Sequence, residues 1–374
     1  MKKKMIEDLL VITEAGQAIY SWHQKGNNED FNDDLISGFL TALNSFATIE
    51  RGEDIKSLKL RETLILFEKK EELVQKLTFV ITTKNEDVIE LLHAVVHEVM
   101  DQFILSFKDV LDKEFNGNIT PFRKFDQNIT RILNYYGLDT LESLDKEFSQ
   151  ENFLKAVLFI EPKGGNIFFA KANEYINKEK MSFLVPLLVN SSKLLYKNNL
   201  NQEINWLTLS TVENEILLID IRYRIIIARI YKSQFILKTQ EILKLPYFSE
   251  KSKNAYLKKP QKIADKFKNI HPPPNIKQLF LVDLLGKIFF KKVIDDSFNY
   301  DNLIPETISF LTSSKKSSEE IFKRIMLISI ISGVNTTTIC MNFGNFALIL
   351  LGNTKELNDF QELQKLCMII YEQL

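Results

Sequence analysis

Cysteine is nearly absent. The 374 residues contain only Cys340 and Cys367, too few for a disulfide framework or a four-thiolate zinc site, and this scarcity fits a reducing compartment. Glycine (12) and proline (9) are also sparse, which excludes collagen-like repeats and low-complexity Pro/Gly disorder. Neither sign of charge is in excess: 48 Lys and Arg stand against 49 Asp and Glu, a net charge of -1. That balance gives no global attraction to nucleic acid, and no nucleic-acid partner is expected. A signal-peptide core is missing too, because the apolar residues after the basic positions 1–4 are cut by Glu7, Asp8 and Glu14. A cytoplasmic protein, at most peripheral on membranes, is the expectation.

What is present is an ordinary globular composition, 45% hydrophobic and 26% charged, in a chain long enough for two or three domains. Residues 325–354 carry no Asp, Glu, Lys or Arg, which raises the question of a membrane span. Gly333, Asn335, Asn342, Gly344, Asn345 and Gly352 cut the stretch into pieces of strand length, so it reads as strands of a buried sheet.

Three segments resemble one another: 9–22 (LLVITEAGQAIYSW), 157–170 (VLFIEPKGGNIFFA) and 279–292 (LFLVDLLGKIFFKK). In each, an apolar run ends at Ile12, Ile160 or Val282, three residues intervene, and Gly16, Gly164 or Gly286 precedes a second apolar, aromatic run. This is the pattern of a strand, a turn needing positive φ, and an antiparallel return strand. Helical sequence follows each hairpin: the stripe Leu35, Phe39, Leu43 and Phe46 in the first unit, 183–196 in the second, 304–311 in the third. Strands are expected next, at 55–67 and 73–82, at 204–209 and 216–231, and at 321–331, 337–343 and 347–351. A long helix over 88–110 closes the first unit and a shorter one over 357–371 closes the third; the second unit's closing helix falls somewhere in 235–270. The expectation is an α+β chain of three consecutive units, each a five-stranded antiparallel sheet with flanking helices, over residues 1–140, 150–272 and 275–374.

One helix inserted after the second strand and another at the end is the longin or roadblock plan. The first unit resembles longin domains through LLVITEAGQAIYS at 9–21, SGFLTALNSFA at 37–47 and LILFEK at 64–69. The third is similar to roadblock-type domains through LFLVDLLGKIFFKKV at 279–293. Three such units in one chain resemble the tri-longin subunits of Rab-type exchange factors. The resemblance implies a non-catalytic subunit that pairs with a second longin/roadblock-type chain, or with itself, and binds a small Ras-like GTPase, as exchange factor or membrane-recruiting scaffold. A coat, adaptor or tethering subunit without exchange activity is the alternative. The strand near 55–60 should form a sheet edge open to strand addition, which makes Leu35, Phe39, Leu43, Ile55, Leu58 and Leu60 the partner-interface candidates.

No residues contradict a binding role. The sequence lacks GxxxxGK[ST], and Gly164-Gly165 reads as a hairpin turn, not a phosphate loop. His93 and His97 share a helix face near Glu90 and Glu98, but no further cluster of His or Cys supplies a third metal ligand. The two cysteines read as small buried hydrophobes, and Asp33-Asp34 and Asp295-Asp296 as solvated acids near helix entries. No catalytic, cofactor-binding or metal residue, and no cofactor, is expected. Between 238 and 277 ten lysines meet three acids, a local charge of +7. Aromatics interleave them, and Pro272 to Pro274 end the stretch. Lys251, Lys253, Lys258, Lys259, Lys262 and Lys266 are therefore candidates for contact with an anionic membrane surface or an acidic partner.

Overall fold

The structure is a computed structural model and describes residues 6–24, 32–70, 76–113, 116–150, 153–232, 265, 267–268, 270, 275–295, 303–357 and 359–372. Contacts along the chain divide it after Glu147 into two compact units. The fold is α+β, with antiparallel sheets and flanking helices.

Unit 1 opens with the hairpin β1 (Asp8–Thr13) and β2 (Ala18–His23), whose turn holds Gly16 at φ 84. Helix α1 (Asp33–Arg51) follows, then β3 (Ser57–Lys59), β4 (Leu64–Lys70), β5 (Leu77–Thr83) and helix α2 (Ile89–Leu111). The strand order is β2-β1-β5-β4-β3, the longin plan. Alternation along the strands turns Leu10, Ile12, Ile65, Phe67 and Val80 toward Leu40 of α1. An aromatic cluster lies about Phe103 of α2, whose ring sits 5.8 Å from both Phe79 and Tyr20 and 5.1 to 5.4 Å from Phe125 and Phe122. Helices α3 (Asp126–Tyr135) and α4 (Leu138–Gln150) complete the unit. Residues 138–150, which include the expected gap between the first unit, ending at 140, and the second, starting at 150, are helical because Leu138, Leu141 and Leu144 recur every third residue and give the segment a buried face.

Unit 2 begins with β6 (Leu154–Ile160), β7 (Ile167–Ala172), helix α5 (Lys178–Leu200), β8 (Ile204–Thr211), β9 (Glu215–Ile221) and β10 (Ile226–Lys232). It continues with β11 (Ile276–Asp283), β12 (Ile288–Val293), helix α6 (Ile304–Phe322), β13 (Met326–Gly333), β14 (Thr336–Phe343), β15 (Phe346–Asn353) and helix α7 (Phe360–Glu372). These ten strands form one sheet, ordered β12-β11-β15-β14-β13-β8-β9-β10-β6-β7. Each run of five repeats the order of unit 1, and the runs meet where β13 pairs antiparallel with β8.

Several sequence expectations are corrected here. In the second hairpin the left-handed residue is Gly165, at φ 73, not Gly164; a Cβ there would strike the carbonyl oxygen of Ser182 on α5. Helix α6 does not stop at Leu311 but runs to Phe322, so Ile321 is helical. Its second half is rich in serine, and Ser314, Ser317 and Ser318 are buried there by packing that the weak apolar pattern does not announce. The expected strand 55–67 is two strands, β3 and β4, and 216–231 divides into β9 and β10. The uncharged residues 325–354 are mostly β13, β14 and β15, buried nearly throughout. Among the described residues no helix is long and apolar enough to cross a membrane.

Candidate partner interface

Unit 2 contains a complete example of two five-strand runs joined at their edges. The joint is a ladder from Met326↔Thr211 to Gly333↔Ile204. Above it α5 packs against α6, and the Lys180 ammonium of α5 is ion-paired with the Glu320 carboxylate of α6. The buried Tyr196 hydroxyl donates to the Ile331 carbonyl at 3.0 Å and shares a 2.7 Å hydrogen bond with Thr338 Oγ1. Gln202 spans the same joint, its Oε1 accepting from the backbone N–H groups of Asn335 and Thr336 at 3.1 Å each. One apolar core runs through both halves, from Leu158 and Val185 to Phe310 and Ile349.

Among the described residues the corresponding surface of unit 1 is open. Strand β3 follows the inserted helix as β8 and β13 do, but among the described residues it lies at the sheet edge with β4 as its only strand neighbour. Helix α1 is well anchored from below. The Asn32 side chain caps it by accepting from Leu35 N, Gly52 ends it in the left-handed conformation, and Ser37 Oγ donates to the Gly16 carbonyl at 2.8 Å. At its far end Asn44 Oδ1 accepts from Ile55 N at 3.0 Å, and Thr48 Oγ1 donates to Asp54 at 2.9 Å. Asp54 also pairs with Lys69 of β4 at 2.5 Å, and that hydrogen bond, joined by the one from Thr48, holds its carboxyl below the usual range.

Among the described residues the outer face of α1 has no such cover. Leu35, Phe39, Phe46 and Ile49 are 70%, 61%, 64% and 80% exposed, an apolar stripe more continuous than isolated surface hydrophobes. Of the sequence candidates, Leu43, Ile55 and Leu58 are half-buried, with Ile55 and Leu58 packed against the core beneath α1, and Leu60 is exposed beside β3. The contrast with α6 is positional. Both helices have 19 residues and both carry Phe-Leu-Thr, at Phe39-Leu40-Thr41 and Phe310-Leu311-Thr312. Phe39 and Phe310 are each the seventh helical residue, yet Phe310 is only 1% exposed.

A feature missed in the sequence lies at the start of α1. His23 Nδ1 is 2.8 Å from Asp8 Oδ1, and its Nε2 is 3.1 Å from the Asp33 carboxylate, so the imidazole ties β1 and β2 to the helix. Burial lowers the imidazole pKa, but the hydrogen bonds to Asp8 and Asp33 outweigh it and raise the value above the ordinary one. The i to i+10 spacing of His23 and Asp33 gives no periodic signal.

The remaining chemical candidates have structural settings. His93 Nδ1 and His97 Nε2 each lie 3.4 Å from Glu68 Oε1 on β4, a partly exposed cluster across the α2–β4 packing; among the described residues no three side chains are placed to hold a metal ion. Cys340 and Cys367 are fully buried, and desolvation pushes the Cys340 thiol up to about 12 and the Cys367 thiol well above its ordinary value. Asp295 pairs with Lys277 at 2.9 Å. The basic candidates Lys251, Lys253, Lys258, Lys259, Lys262 and Lys266 lie outside the described residues, as does Asp296.

No family model and no curated protein matches the sequence. Among solved structures, the chain is similar to one titled the structure of the mammalian SRP receptor, at 10% identity and a TM-score of 0.24, covering 40% of this chain and 99% of that one. It is also similar to a Roadblock/LC7 domain from Streptomyces avermitilis, at 15% identity and a TM-score of 0.22, covering 30% of this chain and 90% of that one.

Proposed function

We propose that the chain is a non-catalytic binding subunit that pairs through α1 and β3 of unit 1 with a second longin/roadblock-type unit, and that the assembly binds a small Ras-like GTPase. The observation that carries the pairing is the contrast between the two units. Unit 2 joins two five-strand runs through β8, β13, α5 and α6, whereas the corresponding elements of unit 1 are exposed. The GTPase rests on the sequence resemblance to tri-longin subunits. In this reading the subunit acts as an exchange factor or as a membrane-recruiting scaffold. An exchange factor needs no protein nucleophile, because it competes with the switch segments that hold Mg²⁺ and phosphate in the GTPase. The lysines at 251–266 would add attraction to anionic lipid.

The test loads candidate Ras-like GTPases with fluorescent GDP and adds the protein together with its partner. Accelerated GDP release supports exchange. Tight binding of the GTP form without release would replace exchange by the adaptor or tether role, and no binding to either form would overturn the GTPase reading.

A further inference from the structure

A cavity of about 360 Å³ lies in unit 1, between the inner side of α1 and the ends of β1, β4 and β5. The strand registers set its floor. Ile12 pairs with Thr78 and Thr78 with Lys69, so these three stand in one row across the sheet, on the face where Leu10, Val80 and Phe67 form the next row inward. The inner row belongs to the core, and Phe67 and Leu40 wall the cavity at that end. At the mouth, Lys76 pairs with Glu14 at 2.9 Å. The lining thus passes from apolar to charged along the strands.

Unit 2 contains the same row twice. In its first half the row is Ile160, Ile226 and Ile221; in its second half it is Val282, Ala347 and Asn342. Ile160 and Ile226 are fully buried and Ile221 packs against the same core, as do Val282 and Ala347. Asn342 is buried too, and its amide donates to the Met326 carbonyl at 2.7 Å. At the counterpart of the mouth, Lys315 of α6 reaches the turn between β14 and β15 and donates to the Gly344 carbonyl at 2.9 Å. Of the three rows, that of unit 1 alone sets a hydroxyl and an ammonium, Thr78 and Lys69, under the inserted helix.

Lys69 is fixed by Asp54 at 2.5 Å, and Thr48 of α1 holds Asp54 in turn. An ammonium has three donors, and the Asp54 contact engages one, so Lys69 can also donate to a ligand oxygen beside Thr78. Three lysines and two acids line the cavity, a surplus of one positive charge that complements a monoanion. At ~30 Å³ per water-sized atom, the space holds roughly a dozen non-hydrogen atoms. We propose that this cavity binds a small amphiphilic carboxylate, with an apolar tail of about eight to ten carbons against Ile12, Leu40 and Phe67 and the carboxylate on Thr78 and Lys69. The site is independent of pairing and of GTPase binding.

The full chain is titrated with octanoate, and with 1-octanol as its neutral analogue, by ligand-observed NMR. Saturable octanoate binding with a Kd of ~1 mM or tighter is expected for a ligand of this size. Octanol should bind at least ~10-fold more weakly, because it forgoes the charge-assisted hydrogen bonds. Lys69→Gln should weaken octanoate ~10-fold and leave octanol unchanged, so that the difference between the two ligands closes. Thr78→Ile combined with Lys69→Ile copies the row of Ile160, Ile226 and Ile221. It should abolish binding of both ligands with circular dichroism unchanged, and the outer face of α1 is untouched by it. Should that variant fail to fold, Lys69→Gln decides alone. The proposal is overturned if wild type shows no saturable octanoate binding, if octanoate and octanol bind equally, if Lys69→Gln keeps full octanoate affinity, or if the folded double variant does.

Discussion

Phe39 and Phe310 occupy the same position of two helices of equal length, one exposed and one buried, so replacing each by alanine isolates what the covering helix contributes. A buried Phe→Ala change costs ~3–5 kcal/mol from lost transfer energy and the cavity left behind, and Phe310, 1% exposed within a core shared by both halves of the sheet, should reach that range. Phe39 keeps only about two-fifths of its surface from water, and at ~25 cal/mol per Å² its truncation should cost ~1 kcal/mol in the monomer. Tryptophan separates the two readouts, because Trp22 lies in unit 1 and Trp206 in unit 2. Urea unfolding followed by fluorescence, with Trp206→Phe for the unit 1 measurement and Trp22→Phe for unit 2, assigns each loss to its own unit. Protein is kept below micromolar concentration so that association does not add to the unit 1 value. Losses agreeing to within ~0.5 kcal/mol, the usual scatter between independent sites, would refute the claim that pairing is what buries this position.

Tyr196→Phe should destabilise unit 2 by ~2 kcal/mol, since it strips a buried hydroxyl from the Ile331 carbonyl and Thr338; an unchanged midpoint in the same urea assay would contradict that role. The raised pKa of His23 carries a definite sign. Its contribution to unit 1 is complete below the unfolded value of ~6.5 and is lost as pH rises through the higher folded value. Wild type should therefore lose its advantage over His23→Gln as pH rises above the unfolded value of ~6.5, and an imidazole NMR titration below the unfolded value would contradict this. Cys340 and Cys367 should resist a thiol reagent at pH 8 in the native protein and both react after denaturation; rapid native labelling would place them in contact with solvent.

Much of the fold is legible in the sequence because local physics writes it there. Gly16 and Gly286 mark turns that demand positive φ, and the apolar spacing of 88–110 leaves little but a long amphipathic helix. Where a residue's environment comes from a distant element, the pattern fails. The second half of α6 reads as polar because its serines are buried by packing, not by hydrophobicity, and α4 looks like a charged linker until its three leucines are seen to be buried. The edge-to-edge joint of β8 and β13 leaves no periodic trace, since a strand's alternation describes its faces and not its edges. The apolar stripe of α1 was visible as a helix face. That it faces outward, while the equivalent position of α6 is covered, needed the structure.

The β8–β13 joint also dictates the order in which unit 2 can mature. Strand β8 leaves the ribosome more than a hundred residues before β13, and until β13 arrives its row of backbone groups has no neighbour on that side. Strands β13 to β15, made well after β8, are the uncharged ones, with none of the lysines that restrain mispairing of nascent strands. Each half therefore shields the other from aggregation, and neither is safe alone. A ribosome stalled between the two halves would release a chain with an open edge, a natural client for a chaperone that holds strands apart until synthesis is complete.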